Sequence, residues 1–153
     1  FEFFGQSLST LIEDRKNIRT AEQSIKEAES MLQGINRLDE LTTVLEKAAE
    51  GMQFHEAIIS FYEEDGKLGS RSNNEESSIG EKVSWKDPNF SGYYSRKNEF
   101  VAEFPISGRK YSYGKILYRF IDNRDKLEVN EEVLLERIHD GLSVFAAKVR
   151  KQS

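Results

Sequence analysis

The chain has 153 residues, 37% hydrophobic and 32% charged, and its 22 Lys and Arg against 27 Asp and Glu give a net charge of −5. That size fits one domain with an appended element, and the acidic balance without a dense basic run argues against a nucleic-acid surface. The absence of cysteine removes disulfides, thiolate metal sites and thiol nucleophiles together.

No apolar run reaches the length of a membrane span and no signal-peptide pattern is present. The expectation is a cytoplasmic domain, or the cytosolic part of a membrane protein, without direct membrane insertion. The start Phe1-Glu2-Phe3-Phe4 lacks Met and is read as the edge of a longer protein.

The first third carries helical periodicity. Leu11, Ile18, Ile25 and Leu32 recur every seven residues, and Ala21, Ala28 and Ile35 follow the last three at an offset of three. This is an a/d heptad seam. Two readings are open: a helix packed on its own domain, or a parallel coiled coil that makes the chain a homodimer. The narrow stripe favours the second, because alone it would bury little area. The seam ends near Gly34, read as a kink or helix end. Residues 1–36 are therefore assigned to a linker or coiled-coil helix, and 37–153 to the domain proper.

Leu38, Leu41, Leu45, Ala48, Ala49 and Met52 form a wider stripe suited to packing on a sheet, with Gly51 near its C-terminal end. The period then changes. Glu56 to Glu63, EAIISFYE, reads as a buried strand, and Asp65-Gly66 signals a hairpin into a second strand near Leu68. Polar residues 70–78 read as a loop. Residues 79–98 are expected to be irregular, with one short helix and a turn or helix start at Asp87-Pro88-Asn89.

Phe100 to Ile106 is one strand, with Pro105 expected at a strand end or edge because it cannot donate to a ladder. A turn at residues 107–110 leads to a strand from Tyr111 to Asp122, with Gly114 permitting a bulge or close backbone approach. Apolar residues on both faces of its second half predict a central strand covered on both sides. Asn130 is taken as the N-cap of a last helix, with Glu131 and Glu132 in its first turn and Leu135, Ile138, Leu142, Phe145 and Val149 as its buried stripe.

The order helix, helix, strand, strand, irregular segment, strand, strand, helix predicts an α+β fold. Over residues 37–150 the pattern resembles the GAF family. Three stretches carry the resemblance: the helix ending at Met52 with Glu56 to Tyr62 and Asp65-Gly66; Phe104-Pro105-Ile106 with Tyr113-Gly114-Lys115-Ile116-Leu117; and Leu127 to Glu132 with the final helix. The resemblance implies an antiparallel GAF-like sheet with helices from both termini on one face, preceded by a long helix. It implies a non-catalytic regulatory or sensory domain that relays ligand or partner binding to a neighbouring effector domain. Asn123, Arg124, Leu127, Glu131 and Glu132 stand loosely where some cyclic-nucleotide-binding members carry a pattern, and three differ in type. Chromophore attachment through Cys is excluded.

The region between Leu68 and Phe100 is short and polar where ligand-binding members carry a roof over the sheet. This favours the alternative, a pure dimerisation or assembly module such as the cytosolic tail of a membrane-bound glycosyl-phosphate transferase. Phe61, Trp85, Phe90, Tyr93, Tyr94, Phe100 and Tyr118 are read either as core or as the wall of a ligand or partner pocket. The only histidines, His55 and His139, lie in different elements without clustered ligands, so no metal site is expected. His139, beside Ile138, is expected to be half-buried or solvent-facing.

Overall fold

The computed structural model describes residues 20–64, 67–68, 79–88, 99–109, 111–122 and 124–152. Helix α1 covers residues 20–34. A 3-10 turn, Leu38–Glu40, leads into α2, Leu41–Met52. Strands β1 (Glu56–Glu64), β2 (Lys67–Leu68), β3 (Ile79–Lys86), β4 (Glu99–Ser107) and β5 (Ser112–Ile121) follow, and α3, Val129–Gln152, closes the order. All strand pairs are antiparallel. The long strands run β3-β1-β5-β4 across the sheet, and β2 pairs with the end of β1.

One expectation is corrected by β3. Residues 79–86 form an eight-residue strand, not irregular chain. Val83 and Trp85 pair opposite Ile59 and Ala57 on one face, while Lys82, Ser84 and Lys86 alternate onto the other. Charge on the alternate positions is normal for an edge strand. The hairpin of β4 and β5 is as expected, and β4 is an edge strand of the described sheet, which accommodates Pro105.

Gly114 is fixed by sterics. A Cβ there would sit inside van der Waals distance of the Ser60 carbonyl oxygen, and the irregularities in β1 and β4 fall at this point of the sheet.

One sheet face is buried. Ala57, Ile59, Phe61, Val83, Ile106, Ile116, Tyr118 and Phe120 join the buried stripes of all three helices in one cluster. Strand β5 is central, as predicted, but not covered twice. Lys115, Leu117, Arg119 and Ile121 on its other face are half-buried, and the described helices all lie on the opposite side.

The heptad seam is also corrected. Ile25, Ala28 and Leu32 are buried within the single chain, and Ala21 and Ile35 pack partly buried against the same core. Leu11 and Ile18 lie outside the described residues. The thinness of the stripe has a local cause. At Gly51 of α2 a Cβ would approach Ser24 Cβ to 2.5 Å and Ala21 Cα to 2.8 Å, so the two helices cross almost in backbone contact. Ser24 Oγ accepts the Gly51 N–H at 3.1 Å and donates to the Lys47 carbonyl, which bridges the crossing. Small residues here allow a close approach rather than a weak seam. On the other flank Leu32 meets Gly141 of α3, and Glu29 pairs with Arg137. Residues 20–34 therefore share the domain core, and the boundary at 36/37 does not separate two packing units.

The final helix starts one residue earlier than Asn130. Glu128 precedes Val129, and Glu131 reaches back so that its carboxylate accepts the Glu128 N–H at 3.0 Å. That is the reach-back half of a capping box, and it assigns the N-cap position to Glu128.

Candidate functional site

The sheet offers two faces of different chemistry, set by strand alternation. On the helix-covered face Tyr118 and His139 meet, with Oη and Nε2 at 2.9 Å. His139 is buried, not half-exposed as expected, because α3 crosses the sheet here and Phe104 stacks on the imidazole at 4.8 Å. Burial pushes the His139 pKa down to about 4 and the Tyr118 hydroxyl well above its usual range. Both groups are neutral at ordinary pH, so the bond is one between uncharged partners.

The open face carries an ion triad across three strands. Arg119 of β5 pairs with Glu56 of β1 and Glu99 of β4. The register places Glu56 and Val101 opposite Arg119, with Glu99 one step along. Ile58 and Leu117 pair beside the triad, and Lys115 reaches Glu103 at 3.8 Å. The Arg119 side chain is 32% exposed, so it is held in place and still reachable from solvent.

Of the seven aromatic candidates, Phe61 and Tyr118 are each only 1% exposed and face the helices. Phe100 packs on Phe120 at 6.1 Å, and Trp85 meets Phe54 edge-on at 5.8 Å. These four belong to the core side, where a pocket on the open face cannot use them. Strand alternation made that decision, and the β3 strand had to be recognised to see it for Trp85. Phe90, Tyr93 and Tyr94 lie outside the described residues.

Arg124 lies over the Phe120 ring at 4.1 Å and pairs with Asp122 at 2.6 Å and Glu131 at 2.7 Å. It holds the Asp122 carboxyl below its ordinary range. Arg124 and Glu131 are thus engaged in fastening the loop after β5 to the start of α3, which accounts for their presence without a nucleotide. Asn123 lies outside the described residues. Among the described residues no group of three His, Asp or Glu is placed to hold a metal ion, and no helix is long and apolar enough to cross a membrane.

No family model matches the chain, and no curated protein sequence does either. Among solved structures, the GAF domain of nlh2 from A. aeolicus, crystallised in an inactive state, superposes with a TM-score of 0.50. The match covers 84% of this chain and 96% of that one, at 14% identity. The fold is GAF-like. The GAF-like sheet here places its described helices on one face and the Arg119 triad on the other, so the triad, with the Lys115–Glu103 pair, is a polar cluster on the face that the described helices leave open.

Proposed function

We propose that this GAF-like domain is a non-catalytic regulatory module of a larger cytoplasmic or membrane-attached protein. Its input is a ligand or partner on the open sheet face, and its output is the placement of α3. The observation that supports this reading is the strand β5. Arg119 points to the open face and the adjacent Tyr118 points to the other, where it is hydrogen-bonded to α3 through His139. A group that competes for Arg119, Glu56 or Glu99 acts on the same strand that holds the helix. A population shift of this kind needs a differential interaction with two arrangements, and the triad is where it would be made.

The test is a thermal-shift screen of the chain against nucleotides, cyclic nucleotides, nucleotide sugars and common metabolites. Binding to the native state raises the melting temperature with concentration. The expected result is a saturable shift from one class that is lost in Arg119→Met. A shift retained in full by Arg119→Met overturns the site.

A second reading, an assembly module that binds no small molecule, is supported by α3. Val129, Val133 and Val144 are 77%, 53% and 70% exposed. At 100° per residue they fall within one narrow arc of the helix, a solvent-facing stripe among the described residues that they share with Asp140. Since the α1 seam is buried internally, homodimerisation is assigned to this stripe. Light scattering should report a dimer for the native chain and a folded monomer for Val133→Lys/Val144→Lys. A dimer unchanged by both substitutions removes α3 from the interface.

A further inference from the structure

A cleft of about 540 Å³ opens at the end of the sheet, away from the open face, where the C-terminus of α2 meets the start of β1 and the ends of β3 and β5. It is independent of the Arg119 reading. Its aromatic wall is Trp85, held edge-on by the buried Phe54. The imidazole of His55 is fixed in it, because Nδ1 accepts the Ile121 N–H at 3.1 Å. That bond leaves the neutral ring with its proton on Nε2, where it can act as a donor. Around these rings stand Glu46, Glu50, Asp87 and Asp122, and none of the lining residues is lysine or arginine. Helix α2 ends here as well, capped by Gln53 in the left-handed region at φ 63°, which turns the negative pole of the helix towards the cleft.

We propose that this cleft binds a small hydroxylated organic cation. An ammonium group is attracted both by an indole face and by carboxylates, and the cleft joins the two with room for a few heavy atoms. The His55 Nε2–H supplies a donor to a hydroxyl or carbonyl on the same ligand. Asp122 is paired with Arg124 and Glu50 with Lys47, so the field is that of a binding site and not of a bare charge cluster. The geometry rejects anions, which would face carboxylates and a helix C-terminus together.

The chain has a single tryptophan, and it is in this cleft, so indole fluorescence reports on occupancy directly. Choline is the probe and 3,3-dimethyl-1-butanol, its neutral isostere, the control. Choline should change the fluorescence saturably, with binding at least roughly tenfold tighter than the isostere. Backbone amide shifts should centre on residues 53–55, 85–87 and 121–122. Glu46→Gln should weaken choline severalfold while the circular dichroism spectrum and melting temperature hold. Asp122 is left unchanged because it secures α3. No saturable change with choline, an equal response to the isostere, or amide shifts centred elsewhere would each overturn the proposal. An open-face ligand from the metabolite screen would leave Trp85 fluorescence untouched, so failure of one site is distinguishable from failure of the other.

Discussion

Ile25→Asp is expected to unfold the domain. Ile25 is fully buried within one chain, in the same cluster as Leu41, Leu45, Leu135 and Leu142. Removing a buried aliphatic side chain alone costs about 2–5 kcal/mol. Burying an unpaired carboxylate adds several kcal/mol more, or forces the helix away from the core. The sum is comparable to the whole stability of a small domain, about 5–15 kcal/mol. Ile25→Val should cost only about 0.5–1.5 kcal/mol and serves as the conservative control. Circular dichroism and a denaturant melt decide the matter. Loss of the cooperative transition in Ile25→Asp is the expected outcome. A folded protein of native helicity and half the native mass would mean that the seam is intermolecular after all.

That experiment marks where sequence reasoning stopped. The heptad spacing of Ile25, Ala28 and Leu32 correctly identifies a helix with one apolar stripe. It carries no information on whether the covering surface comes from the same chain. The deciding signal lay in a different element, at Gly51, where the lack of a side chain admits Ser24 and Ala21. The stripes of α2 and α3 were legible for the opposite reason. Each is wide enough, as Leu41, Leu45, Ala48 and Met52 show, to demand a sheet or a helix layer as partner. The β4–β5 hairpin was legible because turn residues bracket two alternating runs. Strand β3 was not, since IGEKVSWK offers only Val83 and Trp85 in alternation and fills the other face with polar residues. The aromatic candidates inherit that ambiguity. A list of large side chains near one another in sequence becomes a pocket or a core only when the face of each strand is assigned. The Arg119 triad needs three strands in register, and its members are 20 and 63 positions away from Arg119, so no local pattern announces it.

Acid should weaken the attachment of α3 through His139. Its folded pKa, about 4, lies below the ordinary value of 6.5 because burial disfavours the charged ring. Between those values the unfolded chain binds more protons than the folded one, so stability rises with pH across the window. The contribution is complete above about pH 6.5 and is lost progressively as pH falls to about 4; a shift of this size corresponds to about 3 kcal/mol. The groups that face the ring are the Tyr118 hydroxyl from β5 and the Phe104 ring from β4, neither of which titrates in this range. Asp122, held low by Arg124, titrates from the acid side and steepens the loss at the bottom of the window. His139→Gln retains a hydrogen-bonding group for Tyr118 and removes the titration. Its unfolding free energy, measured from pH 7 to 4, should be flatter than that of the native chain by most of that amount. Tyr118→Phe keeps the titrating ring and deletes its partner, which should lower stability by about 1–3 kcal/mol at pH 7 while leaving the acid slope in place. Equal slopes in the native chain and His139→Gln would show that the ring reaches water in solution, and with it that the contact between β5 and α3 opens at equilibrium. The same pair then decides whether β5 can move α3 at all, because a bond that opens freely transmits nothing from the face that bears Arg119.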